Sequence, residues 1–80
     1  MESTEDGVLA VARRVLARPD LTVDDDVFDF GASSLSFVRI LAEAAQELDI
    51  AVDIAALGGV ATARNIAAHA AVRSSSAAGS

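Results

Sequence analysis

Apolar positions recur three and four residues apart in two long stretches of this chain. In the first stretch Val8, Leu9, Val11, Ala12, Val15 and Leu16 fall on one side, which predicts an amphipathic helix. Ser3 or Thr4 offers a capping hydroxyl before it, and Glu5 and Asp6 suit the positive end of the helix dipole. Arg13 and Arg14 lie off the apolar side, near the end where cations are favoured. Arg18, Pro19 and Asp20 end the element, because proline cannot continue a helix.

The second stretch predicts a helix over residues 34–48. Leu35, Val38, Leu41, Ala42, Ala45 and Leu48 share one side, and Phe37, Ile40 and Ala44 extend it. The apolar arc is then about 200° wide, more than one neighbour can cover. The helix is therefore expected to be central, with Phe37 and Ile40 at the arc's edge and partly exposed. Ser36, Arg39, Glu43, Gln46 and Glu47 form the polar arc.

Between the two helices, residues 21–33 form a long connection, which Val27, Phe28 and Phe30 are expected to pin to the core. Asp24, Asp25 and Asp26 read as a solvated turn. Further on, Asp53 can cap a one-turn helix over residues 54–57, stopped by Gly58 and Gly59. Thr62 can cap a last helix running to about Val72, with Ile66, Ala67 and Ala70 inward. Residues 74–80 are small and polar and are expected to be disordered, leaving residues 1–73 as one domain. The pattern is all-α: a four-helix bundle of three main helices and one short one, with a long loop after the first.

Composition narrows the function. Alanine, the strongest helix former, dominates an apolar fraction of 52%. A net charge of −6 argues against nucleic acid, where clustered cations neutralise phosphate. The longest uncharged run, residues 54–63, is about half of what a membrane span needs. No basic-then-apolar leader is visible, so the expected location is the cytoplasm.

Few chemistries have the residues they need. There is no cysteine, and a single histidine, His69, leaves no cluster for a metal. A nucleophilic serine would have only His69 as its base, and 80 residues leave little room for a substrate pocket. No lysine is present for a phosphate-binding loop. No catalytic residue is expected. The adjacent serines in "FDFGASSLSF", residues 28–37, remain. A hydroxyl at a helix start can cap, or it can carry an anionic group where free backbone N–H groups point. Ser33 can cap while Ser34 points outward, with Gly31 and Ala32 leaving the approach open.

"VFDFGASSL" resembles the attachment loop of phosphopantetheine-dependent carrier proteins, the acyl and peptidyl carriers of fatty-acid, polyketide and non-ribosomal-peptide synthesis. That loop carries a phenylalanine, a leucine–glycine pair and a serine–leucine pair ahead of an amphipathic helix. Phe28, Phe30, Gly31, Ser34 and Leu35 take those places, with Phe30 standing for the leucine. The likeness runs from about Val8 to Val72. It implies that 4'-phosphopantetheine from coenzyme A is attached at Ser34, flanked by Gly31 and Leu35. It also implies three kinds of partner: a phosphopantetheinyl transferase, a loading enzyme (an adenylation enzyme or an acyltransferase), and a downstream synthase or transferase.

Ser33 departs from the aspartate or histidine usual before the attachment serine, which leaves the cargo class open. "FDFG" and Arg39 lean toward the peptidyl type. No proline precedes Thr62, unlike the family's frequent pattern. The resemblance makes the helix after the serines the docking face. Phe37, Val38 and Ile40 would offer apolar contact there, and Arg39, Glu43 and Glu47 charge, although Val38 is also placed to enter the core. The initial methionine and the polar tail suggest a discrete, monomeric carrier acting in trans. The competing expectation is a small helical adaptor that never receives the arm.

Overall fold

Side-chain caps set the starts of the helices. Ser3 accepts from the Asp6 amide at 3.1 Å and opens α1, Thr4–Leu16. Ala17 closes it in the left-handed conformation, two residues before Pro19. Ser33 caps α2, Ser34–Leu48, and Thr62 caps α3, Ala63–Ala68. Asp53 caps a one-turn 3-10 helix, Ile54–Leu57. The structure, a computed structural model, describes residues 3–72, so the expected tail lies outside the described residues.

The apolar sides of the three helices meet in one core. Val8, Val11, Leu21, Val27, Ile40 and Ile66 are its largest fully enclosed side chains. α1 packs on both α2 and α3. Gly7 lies so close to the Leu48 side chain that a Cβ there would stand 2.6 Å from a Leu48 methyl. A side chain at position 7 would push the Leu48 side chain aside, so the glycine gives Leu48 its place against the first turn of α1.

α2 is turned within its wide apolar arc relative to the expected orientation. Ile40, Leu41 and Ala44 are buried, while Leu35, Val38 and Ala42 are exposed. Ile40, expected to touch partners, is 0% exposed and belongs to the core. Val38, placed to enter the core, is 56% exposed. An arc wider than its neighbours must leave one flank in solvent, and α1 covers the flank that ends in Leu48.

The chain after α2 holds a short sheet. Asp49 turns the backbone through a positive φ, and β1, Ile50–Val52, pairs antiparallel with β2, Ala70–Val72. The last helix therefore ends at Ala68 rather than near Val72. β-branched Ile50, Val52 and Val72 suit an extended ladder, and the pairing satisfies backbone groups that further helix would have satisfied. The architecture is small and mostly helical, with a short two-stranded ladder whose second strand follows the last helix.

Candidate functional site

The long first loop is fastened at several points. The Arg13 Nε atom donates to the Leu21 carbonyl at 2.8 Å. The Arg18 guanidinium lies 4.7 Å from the centre of the Phe30 ring. Each aspartate of the acidic run has its own contact: Asp24 pairs with Arg64, Asp25 accepts from the Thr22 amide and hydroxyl, and Asp26 accepts from the Phe28 amide. Asp26 opens a one-turn 3-10 helix, Val27–Phe30, which drives Val27 into the core. The expected turn is thus also a set of anchors, one of them 40 residues along the chain.

Gly31 follows at φ 92° and turns the chain into α2, with nothing within 4 Å of a Cβ built on it. Ser33 Oγ accepts from the Ser36 amide at 3.1 Å and lies 3.1 Å from Ser36 Oγ. The neighbouring Ser34 begins the helix, and both it and Leu35 are exposed, Leu35 by 78%. The two serines therefore divide the work: one caps the start of the helix, and the other stands exposed to solvent.

A family model described as a phosphopantetheine attachment site matches residues 6–70. The chain belongs to that family. Its members bear a covalently attached 4'-phosphopantetheine group, and they work with a phosphopantetheinyl transferase and other enzymes. Such domains are carriers and are not themselves catalytic. Comparison with curated proteins finds no match.

The serine loop fits such a group. Ser34 is exposed, and α2 is a full-length helix whose first N–H groups and positive dipole end favour a phosphodiester. Among the described residues no cluster of potential metal ligands occurs, and no helix is long and apolar enough to cross a membrane.

The expected docking residues fare unequally. Phe37 is half-buried, its ring centre 5.2 Å from that of Phe28. Phe28, expected to pin the loop, is 43% exposed and meets Phe37 along one wall of a small open groove. Ile54, Leu57, Val60 and Ala61 complete that groove. Nothing in the periodicity announces it, since its two walls lie far apart in sequence.

Val38 and Arg39 are accessible, but both glutamates are already engaged. Arg14 reaches across from α1 to Glu43 at 2.6 Å and also pairs with Glu47. The Arg39 Nε atom binds the second Glu43 oxygen at 2.8 Å. Hydrogen bonds from Arg14, and then from Arg39, hold the Glu43 carboxyl below its ordinary value. Both carboxylates raise the Arg14 value. His69, off the candidate site, is exposed at the end of α3, with Nδ1 3.0 Å from the Asn65 carbonyl oxygen.

Proposed function

We propose that this protein is a discrete carrier that holds acyl or aminoacyl intermediates on a phosphopantetheine arm at Ser34. It passes them between enzymes of a polyketide or non-ribosomal-peptide pathway. The observation that supports Ser34 most strongly is the division between the two serines. Ser33 is committed to the Ser36 amide, and Ser34 stands exposed at the first position of α2. Gly31 takes the positive φ that turns the chain into α2, and the helix start offers donors to a phosphate.

The arm's terminal thiol supplies the thioester linkage to the cargo. The chain's own residues provide position: α2 fixes the serine, and the anchored loop holds the turn before it. Tethering raises the cargo's effective concentration at each partner's site. The protein itself carries out no bond-making step in this reading. A transferase installs the arm, a loading enzyme charges it, and a synthase or transferase takes the cargo.

Intact-protein mass measurement tests the reading after incubation with coenzyme A, magnesium and a broad-specificity phosphopantetheinyl transferase. The wild type and Ser33→Ala gain one phosphopantetheine, and Ser34→Ala gains none. No gain by folded wild type with two different transferases would sink the proposal.

A further inference from the structure

We propose that Arg18 is a positioning residue for arm transfer to Ser34, acting through the ring of Phe30. The inference rests on the carrier reading and adds to it a residue outside the serine loop. Arg18 follows the end of α1, and its amide donates to the Arg13 carbonyl at 3.0 Å, which holds its backbone to that helix. Its guanidinium lies 4.7 Å from the centre of the Phe30 ring, within the range of a cation–π contact. Asp20 fixes the plane of the guanidinium: Nε donates to Oδ1 at 3.1 Å and Nη2 to Oδ2 at 3.0 Å. A planar cation held by a two-pronged carboxylate pair is a firm plate for a ring to rest on.

Phe30 in turn borders the turn into α2. It is the last residue of the 3-10 helix Val27–Phe30 and directly precedes Gly31 at φ 92°. The core holds Phe30 only in part, and Arg18 supplies a further contact. The Gly31 amide donates to the Phe28 carbonyl at 3.3 Å, and the Ala32 amide to the Val27 carbonyl at 3.1 Å. Glycine restrains its own backbone weakly, so the angle of this turn depends on what holds its two sides. Ser33, capping α2, holds one side, and Phe30 holds the other.

The reaction is sensitive to that angle. The Ser34 oxygen forms a bond to the pantetheine-bearing phosphorus of coenzyme A. The bond from that phosphorus to its bridging oxygen breaks, and adenosine 3',5'-bisphosphate leaves with the electron pair. The transferase takes the hydroxyl proton. Such a displacement runs only when the oxygen is aligned with the bond that breaks. A turn that wavers therefore lowers the rate of the bound complex more than it weakens binding. A leucine at position 30, as in the loop this chain resembles, would offer no ring face to the cation.

The test measures steady-state arm transfer by the broad-specificity transferase, with coenzyme A and magnesium. Wild type, Arg18→Ala, Arg18→Lys, Phe30→Leu and the double variant Arg18→Ala/Phe30→Leu are compared, and melting confirms the fold of each. Arg18→Ala and Phe30→Leu are each expected to lower kcat about threefold or more, with KM within about twofold. The double variant should be no slower than the slower single one, because both changes remove the same contact. Arg18→Lys keeps the charge without the planar fork and should fall between wild type and Arg18→Ala. Hydrogen exchange should quicken at the Gly31 and Ala32 amides in Arg18→Ala and stay unchanged at Ile40. A wild-type kcat in folded Arg18→Ala, losses that add in the double variant, or a loss confined to KM overturns the proposal and leaves the carrier reading intact. Equal acceleration of exchange at Ile40 would mean a general loosening and overturns it as well. A folded wild type that accepts no arm overturns both.

Discussion

The Asp26 Oδ2 atom accepts a hydrogen bond from the Ala61 backbone amide at 3.1 Å, across 35 residues of chain. The other Asp26 oxygen accepts from the Phe28 amide at 2.9 Å, and the Val27 amide donates to the Ala61 carbonyl at 3.1 Å. One carboxylate therefore caps the start of the short helix before the serines and ties it to the turn before α3. Replacing Asp26 by alanine leaves two amides without their partners. The expected cost is about 1–3 kcal/mol, read from chemical denaturation, with faster hydrogen exchange at Ala61 and Phe28. Asp26→Ala with wild-type stability and wild-type exchange would refute that role.

The two adjacent serines should separate stability from modification. Ser33→Ala removes the cap of α2 and is expected to cost about 1 kcal/mol, while arm transfer persists. Ser34→Ala puts a strong helix former at the first helical position, and its melting temperature should match or exceed the wild type. Thermal melts of both, beside their masses after transferase treatment, check the pair. A lower melting temperature for Ser34→Ala than for Ser33→Ala would mean that the hydroxyls have exchanged roles.

Neighbouring positions on α2 should respond very differently to truncation. Ile40→Ala empties a fully buried site and should cost about 2–5 kcal/mol. Val38→Ala removes an exposed side chain and should change stability by about 0.5 kcal/mol or less. Urea titrations of the two variants measure the contrast. Similar losses in both would place Val38 in the core and contradict the observed turn of the helix.

Acid should loosen the junction between α1 and α2. The Arg14 and Arg39 guanidiniums depress the Glu43 value below its ordinary 4.5. A carboxylate depressed in the folded state binds fewer protons there than in the unfolded chain. Its contribution is therefore complete above that ordinary value and is lost as pH falls through the folded one. Asp20, lowered by Arg18, acts in the same direction. The melting temperature should hold steady from about pH 7 to 5.5 and drop below about pH 4.5. Glu43→Gln should flatten part of that drop, by a modest amount because the pairs are solvated. Parallel curves for the two proteins would show that the ion pairs contribute nothing to stability.

The helix starts were legible because each depends on one local side chain. Ser3, Ser33, Asp53 and Thr62 cap as their positions suggested. The end of the last helix was not legible. Alanine-rich sequence permits helix through residue 72, and only pairing with Ile50–Val52 converts Ala70–Val72 to strand. The orientation of α2 was hidden for a related reason. An arc of about 200° admits several orientations, and the choice came from α1, through Gly7 and Leu48. At the site, the separate roles of Ser33 and Ser34 could be read from adjacent residues. The state of Glu43 and Glu47 could not, because Arg14 lies 29 and 33 residues away.

The β1–β2 ladder stands at the opposite end of α2 from Ser34. Between them runs a helix of 15 residues, about 21 Å at 1.5 Å per residue. His69, the one imidazole of the chain, adjoins the ladder at that distant end. The chain contains neither lysine nor cysteine. The surroundings of Ser34 therefore offer no side-chain amine, thiol or imidazole to attack an activated acyl group. In the carrier reading such a bearer is chemically inert toward its own load: the cargo can be spent by water or by a partner's catalyst, but not by aminolysis or thiol exchange with a side chain of the protein that holds it.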